Sequence, residues 1–334
     1  MTAVILAGDV GGTKTHLGLF RVENGAPIPV REHRYATADF QTLEDVCADF
    51  LRAGKESIHA ACFGVPGPII GGEARATNVP WTMREEHLSR AMNGIRVRLI
   101  NDLGAAAYGV THLADSDVRV LQRGALPIHQ GSVAIIAAGT GLGEAALVFE
   151  NGRHYAVASE GGHASFAPQN DEQIELYRYL RARFGHVSVE RVLSGPGLFN
   201  IYSFLRTRRT TTEPKWLTEL LEEEDAGAVI SEGALNHRDP ECIHALEMFV
   251  DIYGAEAGNL ALKVLALGGV YLSGGIAPKI LPALTDGRFI RAFIDKGRLA
   301  EMLSKIEVRI ALNEGVGLIG AAWCAAGMLE SIAV

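Results

Sequence analysis

Short apolar runs alternate along the chain with stretches whose hydrophobic positions recur every three or four residues. Val4-Ile5-Leu6-Ala7 and Val133-Ala134-Ile135-Ile136 are each followed by a Gly/Thr-rich turn, a second apolar stretch and an Asn-Gly pair, at Asn24-Gly25 and Asn151-Gly152. A short apolar run bounded by turn residues predicts a strand, and Asn-Gly, in which both residues tolerate positive φ, predicts a tight hairpin. GDVGGTKTHLGLFRVENG, from Gly8, and AAGTGLGEAALVFENG, from Ala137, therefore read alike as strand, Gly/Thr turn, strand, Asn-Gly turn, strand. The echo points to a duplicated β-rich unit. Further strands are expected up to Leu99-Ile100 and over Val270 to Ser273.

Helical periodicity marks other segments. Over Asp171 to Phe184, Ile174, Tyr177, Leu180 and Phe184 fall on one helical face. Over Pro240 to Leu267, Ile243, Leu246, Phe249, Val250, Leu260 and Val264 do the same, with Pro240 suited to a helix start. GVGLIGAAWCAAGMLES near the C-terminus is rich in small residues and predicts a helix packed close to a neighbour. Strands alternating with helices predict an α/β protein. No low-complexity linker separates domains, so boundaries are expected in short connections near residues 113 and 313.

Composition narrows the function classes. With 334 residues, 48% hydrophobic and 21% charged, the chain can bury one large core or two. A net charge of -8 without a Lys/Arg cluster argues against a nucleic-acid surface. Cys47, Cys62, Cys242 and Cys324 are scattered and form no CxxC pair, so neither a zinc site nor a disulfide framework is implied and a reducing compartment fits. MTAVILAGD reaches an Asp too early for a signal peptide, and no apolar run approaches the ~20 residues of a membrane helix. A cytoplasmic protein is expected.

The glycine-rich turns fail the common phosphate-loop patterns. Gly8, Lys14 and Thr15 fit GxxxxGK[ST], but Thr13 stands where the second glycine is required, and THLGLFRV reads as a strand rather than the helix a P-loop needs. In GTGLGEA, Gly139 and Gly141 lack the third glycine of GxGxxG, because position 144 is Glu144. What remains is two hairpin turns with bare backbone, able to let polyphosphate oxygens approach backbone N–H groups. The nucleotide contacts expected there are Gly11, Gly12, Thr13 and Lys14 in the first turn and Gly139, Thr140 and Gly141 in the second, with Thr13 and Thr140 adding hydroxyl donors. Asp9, beside the first turn, suits a water-rich Mg²⁺. Gly274-Gly275, after a strand, reads equally as a turn or as a place for adenine or ribose to lie against backbone.

Candidate acid–base chemistry centres on Asp102, where an apolar strand gives way to a helix. Alone, Asp102 reads as a helix N-cap, although the carboxyl ends of strands in α/β sheets also bind ligands. Glu160 and His163 bracket two glycines in SEGGHASFAP, a loop able to bring polar side chains to a small ligand; a metal pair there lacks both a nearby Cys and an HExxH spacing. In HVSVERVLSGPGL, Ser188 reads as a helix cap and Glu190 as a first-turn carboxylate favoured by the helix dipole. Phe166 and Trp81 read as core residues.

Together, GDVGGT, Asn101-Asp102, GTGLG, EGGH, ERVLSGPGL and LSGGI occur in the order seen in bacterial glucokinases of the hexokinase, actin-like ATPase superfamily, and the chain resembles that family over nearly its whole length. Relatives that share GGTK usually carry a Cys-rich zinc motif after the EGGH-like loop; ASFAPQNDEQ has no Cys and is similar to the zinc-free group. The resemblance implies a two-domain actin-like ATPase (ribonuclease H-like) fold, with the active site in the interdomain cleft, a small domain over 1-113 plus 314-334 and a large one over 114-313. It implies ATP-dependent phosphorylation of D-glucose at the 6-hydroxyl, with Mg²⁺, no zinc, and a homodimer in the cytoplasm acting in glycolysis. Asp102 matches the catalytic base, and Asn78, Asn101, Gly141, Glu160, His163 and Glu190 match sugar-site positions. Positioning and an oriented nucleophile supply most of such catalysis.

Two departures stand out. Lys14 occupies a position where many glucokinases of this group have Asn, and Glu144 one where a small apolar residue is common. Facing the phosphates, Glu144 would weaken nucleotide binding; pointing outward along its strand, it would change nothing. Rival readings are a kinase of mannose, fructose or an amino sugar, a sugar-responsive repressor, and an actin-like ATPase without a sugar acceptor. The first strand begins by Val4, leaving no room for a preceding helix-turn-helix, and the polyol-binding set is superfluous to a plain ATPase.

Overall fold

The computed structural model describes residues 3–54, 56–75, 79, 81–125 and 130–330. The chain divides into two compact units, unit 1 comprising Met1–Ser116, His154–Ala158 and Asn313–Val334, and unit 2 comprising Asp117–Arg153 and Ser159–Leu312.

Unit 1 is built on strands β1 (Ala3–Val10), β2 (Lys14–Glu23), β3 (Ala26–Ala36), β4 (Ala60–Val65) and β8 (Arg96–Asn101) in the order β3-β2-β1-β4-β8. A small antiparallel sheet of β5 (Ile69–Ile70), β6 (Glu73–Arg75) and β7 (Thr82–Arg84) lies between β4 and β8 in sequence. Helices α1 (Leu43–Arg52), α2 (Glu85–Ala91) and α3 (Asp102–Val110) connect them. β1 and β2 pair antiparallel, as do β2 and β3, the latter closed by Asn24 and Gly25 at φ 52° and 81°, whereas β4 and β8 run parallel to β1. β4, AACFGV, is buried at every position, as a central strand covered on both faces must be. Tyr35 and Trp81 join the apolar layer over one face, and Trp81 Nε1 donates to the Phe40 carbonyl at 3.1 Å. The C-terminal helix, Val316–Glu330, covers the other face with Leu318, Ala321, Ala322 and Ala325. Its Gly320 lies 2.6 Å from the Gly109 nitrogen, measured from where a Cβ would stand, a helix approach that only glycine permits.

Unit 2 repeats the scheme. The six-stranded sheet is formed by β9 (Val118–Gln122), β10 (Val133–Ala138), β11 (Leu142–Glu150), β12 (Arg153–Ser159), β13 (Gly269–Ser273) and β14 (Val308–Ala311), in the order β12-β11-β10-β13-β14-β9; residues His154–Ala158 of its edge strand β12 are those that group with unit 1. The first five follow the order and sense of the unit 1 sheet: a three-stranded meander, turning at Asn151-Gly152 with φ 51° and 77°, then two parallel crossovers. The sequence echo is therefore a structural repeat. Helices α4 (Asp171–Phe184), α5 (Gly195–Arg206), α6 (Lys215–Glu223), α7 (Ala226–Leu235), α8 (Pro240–Val264), α9 (Leu281–Leu284), α10 (Arg288–Ile294) and α11 (Ala300–Leu303) complete the unit.

Three expectations about helices need correction. α4 spans the expected residues, but it buries Gln173, Leu176 and Leu180 and leaves Ile174 39% exposed. α8 stops at Val264 rather than 267 because Leu265 turns left-handed at φ 48°. Ser188 precedes only a single turn and its hydroxyl caps nothing; the N-cap of α5 is Ser194, which accepts from the Gly197 N–H at 2.9 Å. Phe166 is buried in the unit 2 core. Among the described residues, no helix is long and apolar enough to cross a membrane.

Candidate active site

In unit 1 the β1–β2 turn is held by its own backbone and by Thr37, just after β3. Gly11 N–H donates to the Lys14 carbonyl at 2.9 Å, Thr37 N–H to the Thr13 carbonyl at 3.0 Å, and the Thr37 hydroxyl to the Gly11 carbonyl at 2.8 Å. Thr13 and Lys14 are exposed on this fixed turn, with Gly11 and Gly12 half-buried beneath them. As expected for a chain that is not a P-loop, a strand follows.

Asp9, at the end of β1, and Asp102, at the start of α3, are close enough for the charge of one to act on the other. Burial, reinforced by the Asp102 charge, lifts the Asp9 carboxyl to about 6. Gly317, in the first turn of the C-terminal helix, makes room for the Asp9 carboxylate, whose oxygens would lie 2.7 and 3.0 Å from a Cβ there. Two neighbouring carboxylates with one strongly desolvated are a natural place for a divalent cation, which relieves both penalties. Among the described residues, no group of three or more His, Cys, Asp or Glu converges to hold a metal; hydrated Mg²⁺ needs only one or two carboxylates.

The capping role at α3 belongs to Asn101. Its Oδ1 accepts from the Leu103 and Gly104 N–H groups at 3.0 and 3.2 Å, and its Nδ2 donates to the Gly67 carbonyl at 3.3 Å. Asp102 is the first residue of the helix, half-buried, with Oδ1 accepting from Leu103 N–H at 2.8 Å. The N-cap expected of Asp102 is therefore supplied by Asn101 instead. Asn78 lies outside the described residues.

Unit 2 gathers a second group around the β10–β11 turn. Glu190 accepts from the Leu142 N–H at 2.9 Å through Oε2, which also lies 2.6 Å from where a Gly141 Cβ would stand. Its Oε1 lies 4.0 Å from His163 Nδ1. His163 and Glu160 are exposed at the ends of one tight turn, in which His163 N–H donates to the Glu160 carbonyl at 3.0 Å. Gly162 packs directly on the Leu142 carbonyl, a contact that leaves no space for a side chain. Gly141, His163 and Glu190 are therefore brought together, with Glu160 on the same turn.

Residues of the same hairpin turn also line a cavity of about 420 Å³, with Gly195, Pro196, Asp225, Ser231, Gly275 and Lys279 among its other walls. That volume lies in the range of a small-molecule site, roughly 300–1,000 Å³. Gly139 and Gly275 have open space where a Cβ would be. Gly274, at φ 82°, presses against the Ala138 carbonyl and shapes the turn instead of lining the cavity. Sequence reasoning missed Asp225, the N-cap of α7, as well as Ser231 and Lys279. Lys279 lies three residues past the end of the LSGGI motif, the one local signal that could have drawn it in.

Glu144 follows neither expected course. It lines no part of that cavity and does not point outward; it is 1% exposed and faces Glu256 of α8.

The repeated strand order, with a Gly/Thr turn in the first hairpin of each unit, an acid beside one turn and a Glu/His group beside the other, fits a sugar kinase of the two-domain actin-like ATPase fold. The enzyme class is a phosphotransferase with an alcohol acceptor. A glucokinase family model matches residues 6–328, and the chain belongs to the glucokinase family. It is 41% identical to a glucokinase of Nostoc sp. over 97% of this chain and 99% of that protein. It is 35% identical to a glucokinase of Shigella sonnei, with 96% of each covered. Among solved structures, a glucokinase from an Antarctic psychrotroph superposes with a TM-score of 0.86 at 29% identity, covering 98% of this chain and 100% of that one.

Proposed function

We propose that this protein transfers the γ-phosphoryl group of ATP to the 6-hydroxyl of D-glucose, with Asp102 as general base. The observation that supports the reading most is the dual use of the β10–β11 turn. Gly139 and Thr140 line a nucleotide-sized cavity, while Gly141 and Leu142, the next two residues, seat Glu190 of the polyol-binding group. One rigid hairpin thus sets the spacing between phosphoryl donor and sugar acceptor.

Asp102 accepts the proton as the 6-oxygen attacks phosphorus; the bond to the β-bridging oxygen breaks and ADP leaves. Asn101, Asn78, Glu160, His163, Glu190 and the Gly141 backbone bind the remaining hydroxyls, and a site built to bond hydroxyls discriminates strongly against analogues that lack them. Gly11, Gly12, Thr13 and Lys14 from one turn, and Gly139, Thr140 and Gly275 from the other hairpin and the β13 turn, receive the nucleotide, with Gly274 shaping the turn that presents Gly275. Asp9 would hold a hydrated Mg²⁺, which when bound neutralises charge on the transferring phosphoryl group. The reading carries with it two domains, 1-113 plus 314-334 and 114-313, and a cytoplasmic homodimer in glycolysis, on the strength of the family resemblance.

The test is ADP release with Mg-ATP across glucose, mannose, fructose and glucosamine, run beside Asp102→Asn. Glucose-dependent turnover that collapses in the variant supports the reading. Turnover that prefers another hexose reassigns the substrate, and ATP hydrolysis indifferent to every sugar overturns the kinase assignment.

A further inference from the structure

A buried pair of carboxyls lies beneath the sugar-binding turn, and neither member has a role in the chemistry above. Glu144 on β11 and Glu256 on α8 are 1% and 6% exposed. Glu256 accepts from Asn259 Nδ2 at 2.9 Å and pairs with Lys263 Nζ at 3.2 Å, partners that suit an ionised carboxylate. Glu144 has no such support: its Oε1 is buried without a hydrogen-bond partner among the described residues. Its Oε2 lies against Gly161, filling the space a side chain there would need. Gly161 is the residue between Glu160 and Gly162, and its N–H is tied to the Ser159 hydroxyl at 2.9 Å.

We propose that Glu144, in its protonated form and bonded to Glu256, is a positioning residue that braces the Glu160–His163 turn from below and so sets the enzyme's affinity for its sugar. The inference rests on the glucokinase reading of that turn. A proton on Glu144 turns the orphaned oxygen into a donor toward Glu256 and removes one of two adjacent buried charges. Burial, then the Glu256 charge, raise the Glu144 carboxyl from 4.5 to about 7; Lys263 pulls the other way, and a hydrogen bond to Glu256 adds the smallest contribution. The charged groups around the pair are Lys263 on α8 and, facing Glu256 from just past α10, Lys296, itself next to Asp295 and pushed down by burial. On the side of the sugar turn, the neutral Ser159 hydroxyl sits beside Glu144 at the space a Gly161 side chain would fill. Loss of the proton above about pH 7 therefore sets two buried carboxylates against each other directly under Gly161. Because the brace holds the turn and not the reacting atoms, the sugar KM should move and kcat should not.

The experiment follows amide hydrogen exchange of residues 159–166 and the KM and kcat for glucose, in the wild type, Glu144→Gln and Glu144→Ala, from about pH 6 to about pH 8.5. The wild type is expected to show exchange, corrected for intrinsic rate, and KM rising together above about pH 7. Glu144→Gln, a fixed neutral mimic, should hold both flat. Glu144→Ala should raise both at every pH, KM by roughly tenfold, short of the ~10²-fold that a 1 Å misplacement costs. If the alanine variant fails to fold, the isosteric glutamine variant still decides. A pH profile in Glu144→Gln identical to the wild type, with exchange of the turn unaltered, ends the brace and leaves the kinase reading standing. Absence of glucose-dependent turnover in the wild type ends the kinase reading, and the exchange data then judge the brace alone.

Discussion

Asp102→Asn separates catalysis from stability at one atom. Deleting a general base in hydrogen-bond reach of the nucleophile removes roughly 10²–10⁴-fold in rate, about 3–5.5 kcal/mol of barrier. The folded state should hardly register the change. Asn101 supplies the α3 cap, and the bond from Leu103 N–H to the Asp102 carboxylate at 2.8 Å can be kept by an amide oxygen. The helix loses a first-turn negative charge worth ~0.3–1 kcal/mol. That loss is offset because the same charge helps to hold Asp9 at about 6, so its removal relieves Asp9. A net change within about 1 kcal/mol corresponds to a Tm shift of no more than about 2–4 °C in a protein of this size. The assay is coupled ADP release at saturating Mg-ATP and glucose, beside scanning calorimetry of both proteins. A kcat within tenfold of the wild type at unchanged Tm would refute the general-base role. A Tm loss well beyond that range would show instead that Asp102 carries structure.

Other outcomes follow from single contacts. Gly141→Ala sets a Cβ 2.6 Å from Glu190 Oε2, so Glu190 must move; the glucose KM should rise roughly tenfold while the ATP KM holds, measured by initial rates. Gly275→Leu adds a side chain where nothing lies within 4 Å, and should raise the ATP KM with Tm unchanged if the α5–α7 cavity holds the nucleotide. Glu144 keeps in the folded state a proton that the unfolded chain loses near 4.5, so stability falls as pH rises from there to about 7. The slope is at most ~1.4 kcal/mol per pH unit for one proton. Glu144→Gln should flatten that part of the Tm–pH curve.

Features of the fold that depend on local backbone chemistry could be read from the sequence. Asn24-Gly25 and Asn151-Gly152 both adopt positive φ at two successive residues, so two letters sufficed to locate two hairpins. The failure of the P-loop pattern was equally local, since THLGLFRV had to be strand. Faces and caps were harder. Periodicity counted Ile174 as inward, yet Gln173 takes the inner position because its Oε1 accepts from Gln169 N–H at 2.9 Å at the capped helix start. Ser188 and Ser194 look alike as caps, but only Ser194 is followed by the Gly-Pro pair that opens a long helix. Asp225, Ser231 and Lys279 reach the cavity from α7 and from the turn after β13, elements far apart in sequence, and no spacing rule connects them.

Glu144 shows where the repeat itself carried information that residue type concealed. Counted from the turn threonine, Leu17 is four residues past Thr13 and Glu144 four past Thr140, so the two stand at the same place on the second strand of their units. Leu17 pairs with Gly8 of β1, Glu144 with Ile136 of β10, and both side chains are buried. Side chains alternate across a strand, so the duplication alone required Glu144 to point into its unit, away from both the phosphates and the solvent. What the repeat could not supply was the partner. A leucine at this position is held by its apolar neighbours, whereas a carboxyl at the same position costs stability unless a proton or a countercharge accompanies it. The counterpart lies 112 positions on in α8, where Glu256 answers it and Asn259 and Lys263 answer Glu256 in turn. A polar residue kept at a position whose repeat-mate is core leucine implies some return for that cost, and the turn resting on Glu144 is the one that presents Glu160 and His163.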